Sequence, residues 1–384
     1  MLSKRILVIS QNAGFSCDTD VYLWRTAGLL KDNGTEVFGT FRHKERDYGR
    51  FTEAFTGVFE LGELPEGDFD MVQVHSPMDS RLLENVLERF GGKAVLFIHD
   101  HSFYCPRRTM RPVFGKAQCR NPHSGFACAF CSMLSCPSSW SKGFFGELSE
   151  RVLGFGHRLE LMKSFPNVVV MSKYMKDNLI LNAFSQDRIS VVPPYVQVPE
   201  TVPDRPEIGE PVILLGGTVL GKAEYELFFQ VLSRLANRYI GFVLGSVADQ
   251  AAMEKLARKL GVERNIKYLG WCNPPYKEYL KSDIALFPMG DSVPTGLSAA
   301  TVAAWGIPIV AFDSGGIREA VSDGVNAKLV PYGDIAAMAT ATDRMLESYA
   351  RRHTMGKKGR EMAAERFSAE KYLAAMDKLM GRLG

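Results

Sequence analysis

Residues 284–312 begin with the apolar run Ile284-Ala285-Leu286-Phe287-Pro288 and continue through a loop that ends at Pro294-Thr295-Gly296. An alanine-rich segment follows, Leu297-Ser298-Ala299-Ala300-Thr301-Val302-Ala303-Ala304-Trp305-Gly306, and then a second apolar run, Pro308-Ile309-Val310-Ala311-Phe312. Short apolar runs uninterrupted by polar residues are the pattern of strands buried on both faces of a parallel sheet. The segment between them has the length and composition of the crossover helix.

The same alternation extends to both ends of the chain. In the first half it predicts strands at Arg5–Ser10, Glu36–Phe41, Met71–His75, Ala94–His99 and Val168–Met171, with a helix over Val21–Lys31 that stops near Gly34. In the second half it predicts strands at Val212–Leu215, Ile240–Leu244, Ile266–Leu269, Ile284–Pro288, Pro308–Phe312 and Ala327–Val330, then a mostly helical stretch over Ala339–Leu383. Between the halves stand Pro193, Pro194, Pro199, Pro203, Pro206 and Pro211, the composition of a linker. Residues 102–145 break the rhythm. They are rich in Cys, Pro, Gly, Ser and Arg and read as a long insertion. The fold class is α/β, with two Rossmann-like, doubly wound domains facing a central cleft. The first spans 1–195, a linker 196–211, the second 212–365, and a last helix 366–384. Ligands of such folds bind outside the carboxyl ends of the strands.

Bulk properties agree. The 384 residues are 46% hydrophobic and 23% charged, with a net charge of +3. Two domains of about 150 residues account for most of that length. Disorder, collagen and coiled coil are excluded for most of the chain, and so small a charge gives no reason to expect nucleic acid. No apolar run approaches the ~20 residues that cross a bilayer. Ile6-Leu7-Val8-Ile9 is too short for a signal peptide, so a cytoplasmic location is expected, with peripheral contact at the inner face of the membrane left open.

Several residues have the chemistry of a site. Gly296 lets the backbone approach a ligand, and the free N–H groups near Leu297 and Ser298 suit an anion. The plain alternative is a turn in an ordinary strand–helix–strand unit. Gly216-Gly217-Thr218-Val219-Leu220-Gly221-Lys222 runs from a strand into a glycine loop that ends in a lysine. Amides and an ammonium there suit a phosphate, although the spacing is not that of a Walker A loop. A solvated surface lysine is the alternative. His75 and His99 close two predicted strands, and Asn12-Ala13-Gly14-Phe15 follows the first strand in the same way. A lone histidine is more often structural; two at equivalent strand ends raise the functional reading. Cys105, Cys119, Cys128, Cys131 and Cys136 fall within 32 residues, with His123 among them. Such clustering favours a structural zinc or reduced thiols over disulfides, with an iron–sulfur cluster a lesser alternative. Arg107, Arg108, Arg111, Lys116 and Arg120 share that segment and suit an anionic acceptor or a lipid headgroup, with a solvated basic face the default alternative.

Taken together, these motifs resemble the GT-B glycosyltransferases of family 4, the retaining group that uses nucleotide sugars. The subset that fits has a cysteine-rich loop after an HD…CP segment. His99-Asp100-His101 followed by Phe103-Tyr104-Cys105-Pro106 is similar to that segment, and Gly216 to Lys222 to the family's glycine–lysine loop. Gly306-Ile307-Pro308-Ile309-Val310-Ala311 and Gly315-Gly316-Ile317-Arg318-Glu319 are similar to its C-terminal signature. The resemblance implies a UDP or GDP type sugar donor on the second domain and a saccharide or lipid-linked acceptor on the first, in glycan or cell-envelope assembly. The sugar would leave through an oxocarbenium-like state without help from a metal.

In that scheme His99, Lys222 and Asp291 serve catalysis. Gly14, Gly216, Gly217, Lys222, Gly296, Leu297, Ser298 and Thr301 hold the nucleotide sugar. The helix Phe367–Leu383 returns to the first domain. Two departures stand out. The family's paired glutamates fall on Val293 and Thr301, with Asp291 or Ser292 the nearest polar substitutes, and its diphosphate arginine falls on Gly217. These departures raise one alternative, a catalytically degenerate GT-B protein that binds a nucleotide sugar or a partner, and the cysteine loop raises another, a metal-stabilised interaction protein that works through that loop.

Overall fold

The computed structural model describes residues 4–59, 64–75, 79–111, 118–134, 155–202, 209–216, 219–220, 222–247, 249–272, 277–289 and 293–383. The chain forms two compact units, Met1–Pro194 with Glu370–Gly384, and Tyr195–Ala369.

The first unit is built on seven strands: β1 (Arg5–Ala13), β2 (Glu36–Lys44), β3 (Gly57–Phe59), β4 (Met71–Val74), β5 (Ala94–Ile98), β6 (Asn167–Val170) and β7 (Ile189–Val191). They pair in the order β3-β2-β1-β4-β5-β6-β7, all parallel. The second unit carries β8 (Val212–Leu215), β9 (Val219–Leu220), β10 (Ile240–Leu244), β11 (Ser246–Val247), β12 (Ile266–Gly270), β13 (Ile284–Phe287), β14 (Ile309–Phe312) and β15 (Ala327–Val330). Six of these form a parallel sheet in the order β12-β10-β8-β13-β14-β15, and β11 and β9 make a small separate pair. Each sheet therefore reverses its strand order once, between β1 and β4 and between β8 and β13. Those are the switch points beside which open α/β sheets bind ligands.

The central strands are buried on both faces, as their apolar runs require: Val95, Leu96, Leu214, Leu286 and Val310 are all fully inaccessible. The structure differs from the sequence reading at several elements, among them the short pair β9 and β11, which no pattern predicts. β1 and β2 run on to Ala13 and Lys44 because Asn12 pairs with His43 and Ala13 with Lys44. The edge strands β3 and β7 were not expected; at three residues each they are too short to show a pattern. The 102–145 segment also contains a helix, Gly125–Leu134, although its sequence shows no clear periodicity.

The helix Ala369–Leu383 belongs to the first unit. It buries Tyr372, Met376, Leu379 and Met380 along one stripe, and the Tyr372 hydroxyl lies 3.4 Å from that of Tyr22. Among the described residues no helix is long and apolar enough to cross a membrane.

At the end of β8, a Cβ on Gly216 would sit 2.4 Å from the Phe287 ring. Phe287 is part of the buried core, so the ring has little room to yield. Gly216→Ala is expected to lower stability by about 1–3 kcal/mol. Adding Phe287→Leu should recover part of that loss in urea unfolding, as a coupled pair requires.

Candidate functional site

In the first unit, Met71, Gln73 and His75 alternate along one face of β4 and its carboxyl end, while Val72 and Val74 face the apolar core on the other side. Phe97 and His99 stand in the same way on and just after β5. All five side chains are buried. They form a connected chain. The Gln73 amide nitrogen donates to the Met71 sulfur at 3.3 Å, which leaves the amide oxygen 2.8 Å from His75 Nε2. His75 Nδ1 lies 2.9 Å from His99 Nε2. His99 Nδ1 is buried and has no hydrogen-bond partner among the described residues.

Aromatic rings close this cluster. Phe97 stacks on His75 at 4.5 Å between centroids, and Tyr22 meets His99 edge-on at 5.0 Å. Tyr22 sits on the helix Asp18–Asp32, whose first turn is held by the Asp20 carboxylate. That group accepts from Ser16 N at 2.9 Å, Ser16 Oγ at 2.6 Å and Cys17 N at 3.2 Å. Burial, and then the Asp20 charge, pushes the Cys17 thiol up to about 12, so it is not a nucleophile.

Burial lowers the pKa of His99 to about 4, against an opposing pull from Asp100, and lowers that of His75 well below its ordinary value. Both rings are neutral at physiological pH. Asp100 itself caps the short turn His101–Phe103 by accepting from Ser102 N at 2.7 Å. Gly14 follows β1 with φ of 154°, and a Cβ there would lie 2.6 Å from the Arg46 carbonyl oxygen. Its glycine is required by that close approach, whatever else passes near it.

In the second unit, Gly216 follows β8 against the Phe287 ring, and Lys222 begins the helix Lys222–Leu232. Gly217 and Asp291 lie outside the described residues. Gly296 has φ of 69° and precedes the helix Leu297–Ala304, whose first N–H donates to Thr295 Oγ1 at 3.3 Å. A Cβ on Gly296 would strike Ala320 at 2.7 Å, and one on Gly316 would strike the Pro294 carbonyl oxygen at 2.5 Å. Gly316 N donates to Val293 O at 2.7 Å. This tight packing holds the loop and helix start, with Leu297 and Ser298 half-buried at the end of the sheet. Thr301 is buried, and its hydroxyl donates to Leu297 O at 3.0 Å. Val293 packs against the apolar core.

The cysteines do not meet the expectation of a zinc site. Among the described residues no three His, Cys, Asp or Glu side chains are grouped to hold a metal, and Cys136 lies outside them. Cys105, Cys119, Cys128 and Cys131 are free thiols. Cys105 and Cys119 pack against the core, Cys128 accepts from Ser124 N at 3.4 Å, and Cys131 accepts from Arg107 at 3.4 Å. They are nevertheless near neighbours: burial first, and then the other three thiols, raise the pKa of Cys128.

Sequence reading found both histidines and missed Gln73. The available signal was polar residues at 73 and 75, two apart in a strand that is otherwise apolar.

Residues 200–362 match the family model for glycosyl transferases group 1. The matched stretch contains the second sheet. It is 26% identical over 161 residues to the lipopolysaccharide core biosynthesis glycosyltransferase LpsE of Rhizobium meliloti, covering 42% of this chain and 46% of that protein. It is 29% identical over 215 residues to a D-inositol 3-phosphate glycosyltransferase of Xylanimonas cellulosilytica, covering 50% of each. The matches thus span about half the length of these curated relatives. Among solved structures, Anabaena Alr3699/HepE in complex with UDP and glucose superposes with a TM-score of 0.72, at 14% identity over 98% of this chain and 100% of that one. That likeness shows the shared fold, that of the GT-B glycosyltransferases.

The histidine pair makes stability depend on pH. The unfolded chain protonates His99 near its ordinary value of 6.5, whereas the folded chain does so only near 4. Stability from this group is full above about pH 6.5 and is lost as pH falls toward 4. In calorimetry across that window, His99→Gln should lose less melting temperature than the native protein.

Proposed function

We propose that the protein transfers a sugar from a nucleotide-sugar donor of UDP or GDP type to a saccharide or lipid-linked acceptor in glycan or cell-envelope assembly, with retention at the sugar carbon and without a catalytic metal. The observation that carries this reading is the coincidence of the matched residues 200–362 with a Rossmann-type sheet whose switch point is flanked by the Gly216 loop and the Gly296 helix start. HepE, with UDP and glucose bound, supports the donor class by fold alone.

In this reading the positive end of the helix Leu297–Ala304 and the Lys222 ammonium stabilise the departing diphosphate. The neutral His99 ring offers an acceptor to a hydroxyl of the substrate. Gly14 and Gly216 keep side chains away from the strand ends, and Asp291 stands in for the absent glutamate. Transfer assayed with UDP-, GDP-, ADP- and dTDP-sugars tests the reading, and no turnover with any donor would overturn it. Lys222→Ala should weaken UDP or GDP binding about tenfold or more in calorimetry, the effect of removing a hydrogen bond to a charged group.

A second reading, a degenerate member that binds but does not turn over, is favoured by Val293 and Thr301. The first contributes no polar group, and the second directs its proton to Leu297 O. A donor that raises the melting point yet is never consumed would select this reading.

A peripheral membrane contact is also part of the proposal. The helix Gly125–Leu134 exposes Phe126 (87%), Phe130 (52%) and Leu134 (41%) four residues apart, with Arg108 and Arg120 exposed in the same segment. Phe126→Asp with Phe130→Asp should reduce co-sedimentation with phosphatidylglycerol vesicles at unchanged stability.

A further inference from the structure

We infer that Gln73 is a positioning residue, which fixes through His75 the ring nitrogen of His99 that carries the proton and so leaves His99 Nδ1 an acceptor. Each proton along the chain of contacts is fixed by the contact before it. The Met71 sulfur is a weak acceptor and takes the Gln73 N–H, so the amide presents its oxygen to His75 Nε2. An oxygen only accepts there, so the His75 proton sits on Nε2. His75 is neutral, so its Nδ1 carries only a lone pair, and the 2.9 Å contact to His99 Nε2 requires the His99 proton to lie on that atom. One proton remains per neutral ring, and His99 Nδ1 is therefore bare. It is also the one atom of this chain of contacts without a partner among the described residues.

A buried lone pair without a donor is costly and is normally satisfied, here by a hydroxyl group brought to it. With the opposite tautomer the same atom would be a donor and would present an N–H to that hydroxyl. The ring positions would be unchanged; only the direction of the hydrogen bond would reverse. Gln73 thus sits two side chains away from the ligand and acts only through the proton arrangement. The functional consequence rests on the glycosyl-transfer reading, whereas the tautomer itself does not.

The test is nitrogen-15 NMR of histidine-labelled full-length protein without ligand at neutral pH, comparing the native chain with Gln73→Met. Methionine keeps the length and apolar body of the side chain and removes the acceptor. The native protein should show His99 with Nδ1 unprotonated and Nε2 protonated, and Gln73→Met should mix or reverse that signature. In a transfer assay the variant should lose about tenfold in kcat, the effect of one hydrogen bond, with donor KM changed less. A proton on His99 Nδ1 in the native protein overturns the inference, and so does an unchanged His99 signature in Gln73→Met. Both nitrogen signals are read without substrate, so they decide the inference whether or not transfer is detected.

Discussion

A polar side chain on a strand covered on both faces must find its partner inside the protein, because water cannot reach it. The first unit depends on this constraint where Gln73, His75 and His99 interrupt two apolar strands. Each satisfies the next, and the deficit is passed along until it remains on one nitrogen at the carboxyl end of β5. The arrangement also explains why both rings stay neutral. Desolvation disfavours the imidazolium, and no carboxylate approaches closely enough to reverse it.

The second unit meets the same requirement of close packing by a different route. Its loop and helix start at the switch point are held by backbone against backbone and by glycine against small residues, as at Gly316 with Pro294 and Gly296 with Ala320. A loop fixed in this way can present amide groups in one geometry, which a diphosphate requires, without side chains of its own. Glycine at Gly216, Gly296 and Gly14 therefore has a structural cause that would persist even if no ligand bound.

How much of this was legible in the residues follows from the range of each signal. The central strands and the final helices announce themselves by local pattern. β3 and β7 do not, because three residues at a sheet edge carry no period. The helix Gly125–Leu134 was hidden by its cysteines and exposed phenylalanines, which give no amphipathic stripe facing a core. Gln73 bonds within its own strand, to Met71 and His75, and its role depends on the His75–His99 contact across the sheet, which no local pattern announces. The cysteines suggested a metal by proximity in sequence; the four described ones are near neighbours, but among the described residues no three His, Cys, Asp or Glu side chains are grouped to hold one.

The order of residues by itself determined the α/β class and the two parallel sheets, because a strand buried on both faces must be apolar throughout and the helices between must be long enough to cross over. It also placed His75 and His99 at strand ends. Only the tertiary structure decided that these two rings meet, that Gln73 anchors them, and that the Thr301 hydroxyl turns back to its own helix. The His75–His99 contact depends on sheet register, and the nearer Gln73–His75 and Thr301–Leu297 bonds depend on rotamer; the residue pattern fixes neither.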